Sequence, residues 1–333
     1  MPTPDSAAAT AAASVRRLFA RRARHVPGTR LAAIAHPAPR GPQLHWHYWW
    51  QAHYLDCLLD EHLRDPAGHA LVEAEELARG IWLRNGARWR NSYYDDMAWL
   101  ALALQRLDAL AERPPRRGVR VLGAALGSAH TGELGGGVYW NTRRDYKNTA
   151  TTAPSALFFA RAGDTVRAQQ LVDWLQDRLQ DPVTGLYGDG VKADERIEHA
   201  VYTYNQGTVL GALVATGGPE NLARAGALVH AVARHLADAD GVLPLDHRGD
   251  GGLFTGILAR YLAVAASAPG LNGSAAATAR ALLGATADHL WAGRVPAEHG
   301  ATLFPPHQEG PVSLSSQLQS WMVLEAYRAA GPD

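Results

Sequence analysis

Apolar residues recur at spacings of three and four along nearly the whole chain, in segments closed by Gly, Pro and Asp. Twelve helices are expected from this pattern, over 14–26, 45–64, 68–85, 94–112, 117–129, 148–162, 164–178, 201–216, 219–238, 251–267, 273–291 and 313–330. Turn signals such as Gly163-Asp164, Gly217-Gly218-Pro219 and Pro269-Gly270 separate them. Sustained period-two alternation is nearly absent, which disfavours an α/β sheet. Twelve helices in succession imply six helical hairpins arranged as two concentric rings, an all-α (α/α)6 barrel. The run Thr208-Val209-Leu210-Gly211-Ala212-Leu213-Val214-Ala215 is apolar around most of its circumference, as an inner helix should be. The segment 219–238 carries Glu220, Arg224, Arg234 and Asp238 on one side, as an outer helix should.

A chain of 333 residues suggests about two domains by length alone. No linker or composition break divides this one, so a single domain is expected over 14–333, preceded by a flexible segment, 1–13, of small and polar residues that should be disordered or weakly helical. In such a barrel the loops at one end of the inner ring meet over a central cleft. The stretches 86–93, 130–147, 181–200, 239–250 and 292–312 should therefore hold the polar and aromatic side chains that do chemistry.

Charge and composition exclude several classes. With 32 Lys plus Arg against 32 Asp plus Glu, the chain lacks the basic excess of a nucleic-acid binder. Its 47% hydrophobic content excludes a disordered chain. Ten Trp and eleven Tyr against five Phe suggest half-wet surfaces such as sugar-binding clefts, because each ring has an apolar face and a polar edge. The single cysteine, Cys57, excludes an internal disulfide and sits in an apolar run, as a packed thiol does. The histidines show no HxxxH or HxxEH spacing, and no G-x-S-x-G elbow occurs, so neither a metal, a cofactor nor a serine nucleophile is expected. No window reaches the ~18 apolar residues of a membrane span. Ser14-Val15-Arg16-Arg17-Leu18-Phe19 resembles a twin-arginine export signal superficially, but Arg21 and Arg22 interrupt the apolar stretch of roughly 7–15 residues such a signal needs next. A cytoplasmic protein is expected, or a secreted one if a leader has been removed, acting as a monomer with no nucleic-acid or membrane partner.

The sharpest local feature is Trp89-Arg90-Asn91-Ser92-Tyr93-Tyr94-Asp95-Asp96-Met97-Ala98-Trp99, two adjacent carboxylates between aromatics at a helix start. One Asp there satisfies free backbone N–H groups and the positive end of the dipole. A second adds like-charge repulsion unless something uses it. Two carboxylates held close split their proton affinities, leaving one ionised and the other inclined to keep its proton, which is what a glycosidase needs. The DDxxD motif of magnesium diphosphate sites is incomplete, since Trp99 occupies its fifth position. Softer elements follow: Gly135-Gly136-Gly137-Val138-Tyr139-Trp140, Lys147-Asn148, Tyr187-Gly188-Asp189-Gly190 and Tyr202-Thr203-Tyr204-Asn205-Gln206-Gly207. Each offers hydrogen-bonding groups beside an aromatic, though Asn148 reads equally as a helix N-cap and Asp189 as a turn residue.

Taken in order, these elements resemble glycoside hydrolase family 76, bacterial and fungal α-1,6-mannanases with an (α/α)6 fold. The resemblance runs from about residue 46 to the C-terminus and is carried by Tyr48-Trp49-Trp50-Gln51-Ala52-His53, the Tyr93–Trp99 run, Gly136-Gly137-Val138-Tyr139-Trp140, Lys147-Asn148, Tyr204-Asn205-Gln206-Gly207 and Leu253-Phe254-Thr255-Gly256-Ile257-Leu258. It implies retaining, endo-acting hydrolysis of α-1,6-linked mannose in α-mannan or mannooligosaccharides, with Asp95 as nucleophile and Asp96 as general acid/base. Asp189 looks like a further family carboxylate that bonds sugar hydroxyls. The other expected sugar contacts are Trp140, Tyr94, Tyr204, Asn205, Gln206, Gly136, Lys147 and Asn148. Thr255 departs from the family pattern, standing where a lysine is expected. Two other classes stay open: a catalytically silent glycan-binding protein on the same barrel, and a sugar epimerase, which would rely on cleft histidines such as His247 and His307.

Overall fold

The computed structural model describes residues 2–23, 26–38, 46–112, 114–304 and 310–331. Among these lie twelve α-helices: α1 (Pro4–Phe19), α2 (Tyr48–Arg64), α3 (Ala70–Arg84), α4 (Tyr94–Leu110), α5 (Arg116–Ala129), α6 (Thr149–Arg161), α7 (Thr165–Leu179), α8 (Thr203–Thr216), α9 (Pro219–His235), α10 (Phe254–Ala266), α11 (Gly273–Ala292) and α12 (Leu314–Ala330). The even-numbered helices pack in succession and close on themselves, α12 meeting α2. The odd-numbered helices form the outer ring, each against an inner partner. This is the (α/α)6 barrel expected from the twelve-segment periodicity.

Burial follows position in the rings. α12 is buried at every residue from Leu314 to Ala326, whereas α7 buries one stripe, Ala168, Leu171, Val172, Trp174, Leu175 and Leu179, the spacing of a helix with one face in water. Inner helices approach closely where a side chain is missing. A Cβ at Gly207 would lie 2.6 Å from the Leu258 Cα, so this glycine of the Tyr204–Gly207 element lets α8 lie against α10.

The amino terminus departs from expectation. The helix expected over 14–26 spans Pro4–Phe19 instead, and residues expected to be flexible up to 13 lie within it. Thr3 caps it, with its Oγ1 accepting from the Ser6 N–H at 3.3 Å. Ala7, Ala8, Ala11 and Ala12 repeat at three and four and are buried together with Val15, Leu18 and Phe19. Small side chains let α1 lie close on α12, and burying Val15, Leu18 and Phe19 contributes about 1.5–3 kcal/mol each. The helix thus supplies the outer partner of the last inner helix, so the two ends of the chain complete one hairpin. Arg16 ties the helix to the neighbouring α2–α3 hairpin, with Nε 2.5 Å from Glu73 of α3 and a terminal nitrogen 2.6 Å from Glu61 of α2. No helix among the described residues is long and apolar enough to cross a membrane.

All inner helices point the same way. The starts of α2, α4, α6, α8 and α10 line one cleft, and the ends of α2, α4, α10 and α12 line a cavity at the opposite pole. There Asp56 and Asp60, one turn apart on α2, are shared by Arg106 of α4 and Arg260 of α10, with Asp56 oxygens 2.8 and 2.9 Å from the two guanidinium groups. Burial raises the cost of every charge in this quartet, and mutual pairing offsets it; the two arginines hold the Asp56 carboxyl below its usual range against the opposing effect of burial.

Candidate active site

The cleft, about 300 Å³, is lined by Trp49, Asp95, Trp99, Trp140, Tyr146, Asn148, Ala150, Asp189, Tyr202, Tyr204, Asp250 and Phe254. Asp95 and Asp96 occupy the first turn of α4, where the dipole and free N–H groups favour negative charge. Both are half-buried. Asp95 lines the cleft; its Oδ2 accepts from the Trp140 indole N–H at 2.8 Å and its Oδ1 from the Asp96 backbone N–H at 2.9 Å. Asn91 Nδ2 donates to Asp96 Oδ2 at 2.6 Å. Burial pushes the Asp95 carboxyl up to about 7, against the lowering effect of its hydrogen bonds. Asp96 is raised well above the usual carboxylate range by burial and by the neighbouring Asp95 charge. The better hydrogen-bonded Asp95 is therefore the group that ionises first, and Asp96 the one that keeps a proton.

Backbone pairing brings Trp140 to this helix start. Tyr94 N–H donates to Trp140 C=O at 2.7 Å, and Thr142 N–H to Ser92 C=O at 3.0 Å. The segment then folds back, Trp140 N–H reaching Tyr146 C=O at 2.8 Å, and continues into a three-stranded sheet of Tyr146–Asn148, Gly190–Lys192 and Ile197–Glu198. That sheet presents Asp189, whose Oδ2 accepts from the Tyr146 hydroxyl at 2.6 Å and whose Oδ1 accepts from Asn205 Nδ2 at 3.1 Å. Burial raises the Asp189 carboxyl, and these two bonds oppose the rise.

Of the residues expected on the sugar, Asp95, Trp140, Asn148, Asp189 and Tyr204 meet in the cleft lining. Asn205 stands behind Asp189, and Asn148 also caps α6, its Oδ1 accepting from Thr151 N–H at 3.1 Å. Four others face elsewhere. Lys147 is fully buried, its Nζ donating to the carbonyls of Thr131, Glu133 and Gly136 and to the Thr131 hydroxyl at 2.7–2.9 Å. It fastens the glycine loop, and burial lowers its ammonium to about 8. Gly136 contributes to this contact through its carbonyl. Its neighbour Gly137 has φ +73°, and a Cβ there would lie 2.7 Å from the Trp174 ring, so the loop needs glycine for packing. Gln206 braces the Tyr187 backbone with both ends of its amide, at 2.9 and 2.8 Å. Tyr94 is buried and serves the pairing with Trp140 through its N–H.

Tyr202 of the Tyr202–Gly207 element also lines the cleft, as do Asp250 and Tyr146, which stand outside the elements quoted from the sequence. Asp250 lies in a 3-10 turn, Gly249–Leu253, and its glycine neighbours read as an ordinary turn. Thr255, in place of the expected lysine, is buried and turns its hydroxyl to the Pro244 carbonyl and to the Thr203 hydroxyl at 3.2 Å. No histidine among the described residues lines the cleft: His247 lies outside the lining, and His307 lies outside the described residues. Among the described residues no group of three or more His, Cys, Asp or Glu is placed to hold a metal ion.

The sequence matches the model of glycosyl hydrolase family 76 over residues 4–327. The structure is similar to that of an α-1,6-mannanase from Salegentibacter sp. HEL1_6, with a TM-score of 0.89 and 27% identity over 98% of this chain and 100% of that one. An inactive variant of that mannanase, with two adjacent aspartates replaced by asparagine and α-1,6-mannotriose bound, superposes with a TM-score of 0.88 at 27% identity, covering 98% of this chain and 100% of that one. The Lin0763 protein of Listeria innocua shares the fold, at 23% identity and a TM-score of 0.84 over 98% of this chain and 97% of that one. No curated protein sequence matches the chain.

Proposed function

The chain belongs to glycosyl hydrolase family 76, and from that premise we propose that it is an endo-acting, retaining α-1,6-mannan hydrolase with Asp95 as nucleophile and Asp96 as general acid/base. The observation that carries this reading is the half-buried Asp95–Asp96 pair at the start of α4, with the Trp140 indole on Asp95. The inactive Salegentibacter variant supports it, since that mannanase carries substitutions at two adjacent aspartates. Retaining enzymes place their carboxyl groups about 5–5.5 Å apart, a separation open to adjacent residues whose Cα atoms are about 3.80 Å apart.

In this mechanism the ionised Asp95 attacks the anomeric carbon as Asp96 gives its proton to the departing glycosidic oxygen. The bond to the leaving sugar breaks as the ester to Asp95 forms. Asp96, now a carboxylate, takes a proton from a water that attacks the same carbon, which frees Asp95 and restores the Asp96 proton. Net inversion at each step returns the starting configuration. Trp49, Trp99, Tyr202 and Tyr204 offer ring faces to the apolar side of a pyranose, and Asp189, held by Tyr146 and Asn205, accepts from sugar hydroxyls.

Endo action is supported by the shape of the cleft. A second cavity of about 560 Å³, lined in part by Asn141, Arg143 and Lys192, shares Trp140, Tyr146 and Asp189 with the first. A sugar chain has room to continue beyond the reacting unit. Asp95→Asn and Asp96→Asn are each expected to abolish release of product from α-1,6-mannan while keeping the helical circular dichroism. Full hydrolysis by either variant removes that carboxylate from the mechanism.

A further inference from the structure

Among the described residues, Asp250 is the one carboxylate of the cleft lining with no part in the chemistry above. It is not a stray surface charge, although its side chain is 56% exposed. Its Oδ1 accepts from two indoles at once, Trp50 Nε1 at 2.9 Å and Trp49 Nε1 at 3.2 Å. The two residues are consecutive on α2, so one oxygen fixes the orientation of both rings. Trp50 is buried and stacks on His47 at 4.0 Å between ring centroids. Trp49 lines the cleft, 6.4 Å from the Trp99 ring and edge-on to the buried His53. The turn that carries Asp250 is itself anchored: the buried Gln319 of α12 donates to Asp246 C=O at 2.9 Å and accepts from Thr255 N–H at 3.2 Å, bracketing the turn at both ends. A turn anchored at both ends thus holds the indole of a cleft tryptophan through a single carboxylate.

We propose that Asp250 is a positioning residue for the mannan hydrolysis proposed above, on which this inference rests: it holds the Trp49 indole beside Trp99 as the wall against which a mannose ring stacks. Stacking on an indole face depends on the angle of the ring, so a Trp49 free to rotate loses contact with the sugar in ground state and transition state alike. Its loss appears in KM more than in kcat. Asp250 also faces the catalytic pair and raises the proton affinity of both carboxylates. The other titratable groups facing this arrangement are His47, whose Nδ1 lies 3.9 Å from Asp250 Oδ1, Tyr48 from α2 and Tyr204 from α8, with Asp189 and Tyr146 beyond Tyr204.

Two variants separate the hydrogen bond from the charge. Asp250→Ala removes both; Asp250→Asn keeps an oxygen to accept the two indole N–H groups and loses only the charge. On α-1,6-mannotetraose, Asp250→Ala is expected to raise KM about tenfold with kcat within about threefold. Asp250→Asn is expected to return KM to within about threefold of wild type, with the alkaline limb of the rate profile moved to lower pH. Isothermal titration of α-1,6-mannotriose should show the same order of affinities. A wild type that cleaves, beside an Asp250→Ala variant with unchanged KM and unchanged affinity, overturns the positioning role and leaves the hydrolase standing. An Asn variant as impaired as the Ala variant also overturns it. A wild type that binds mannotriose without cleaving it, while Asp250→Ala binds more weakly, overturns the hydrolase and keeps the role of Asp250.

Discussion

The indole N–H of Trp140 donates to Asp95 Oδ2 at 2.8 Å, and the same residue's carbonyl accepts from the backbone N–H of Tyr94, the residue before Asp95. One segment therefore both docks on the helix start and hydrogen-bonds the carboxylate that the helix presents. Such a bond favours the ionised form. Trp140→Phe keeps an aromatic side chain and the backbone pairing but removes the donor. Its loss should raise the proton affinity of Asp95, move the acidic limb of the rate profile to higher pH, and lower kcat/KM about 10- to 100-fold, the equivalent of about 1.5–3 kcal/mol for a hydrogen bond to a charge. A profile with an unmoved acidic limb would show that the indole does not govern Asp95.

Burial of Asp95 also has a consequence for stability. Its carboxyl titrates near 7 in the folded chain, above the ordinary 3.8. Between those values the native state holds a proton that the unfolded chain has released, so this group's contribution falls as pH rises through the window. Asp95→Asn removes the penalty. The variant should be more stable than wild type by about 1–2 kcal/mol at pH 8, after allowing for solvent screening, and by little at pH 4. Thermal melting at the two pH values checks this, and an equal difference at both contradicts it.

Lys147 offers a test of what the glycine loop needs. Lys147→Met leaves the carbonyls of Thr131, Glu133 and Gly136 without their shared donor and should cost about 1–3 kcal/mol in urea unfolding. A lysine on the sugar would behave the other way, raising KM with stability unchanged.

At the far pole, Asp56→Ala leaves Arg106 and Arg260 sharing Asp60 alone. Breaking a buried ion network by removing one member costs about 3–5 kcal/mol. The unfolding midpoint should fall accordingly, and KM for α-1,6-mannotetraose should be unchanged in the folded fraction, because the quartet lies at the opposite end from the cleft. A change in KM would show that the two poles are coupled.

The barrel was legible because eleven of its helices announce themselves by apolar spacing of three and four, and α8 and α9 already differ as inner and outer helices do. α1 was misplaced because the buried face of its first half is alanine alone, which contrasts weakly with the small polar residues around it and reads as low complexity. Asp95 and Asp96 were legible as neighbours in sequence flanked by aromatics. Lys147 and Gln206 sit in the same motifs as cleft residues, but adjacency along the chain does not say which way a side chain points; both turn into the wall that supports the cleft. Asp250 meets Trp49 and Trp50 across two hundred residues, a relation set by ring closure of the barrel and invisible to local pattern.

Proton NMR of α-1,6-mannotetraose during the first minutes of incubation tests the central claim most directly, because it reads linkage, activity and stereochemistry together. A retaining pair at Asp95 and Asp96 predicts new reducing ends that appear first as the α-anomer, with β-anomer growing in later by mutarotation. First appearance of the β-anomer, or an unchanged spectrum after long incubation, would contradict it.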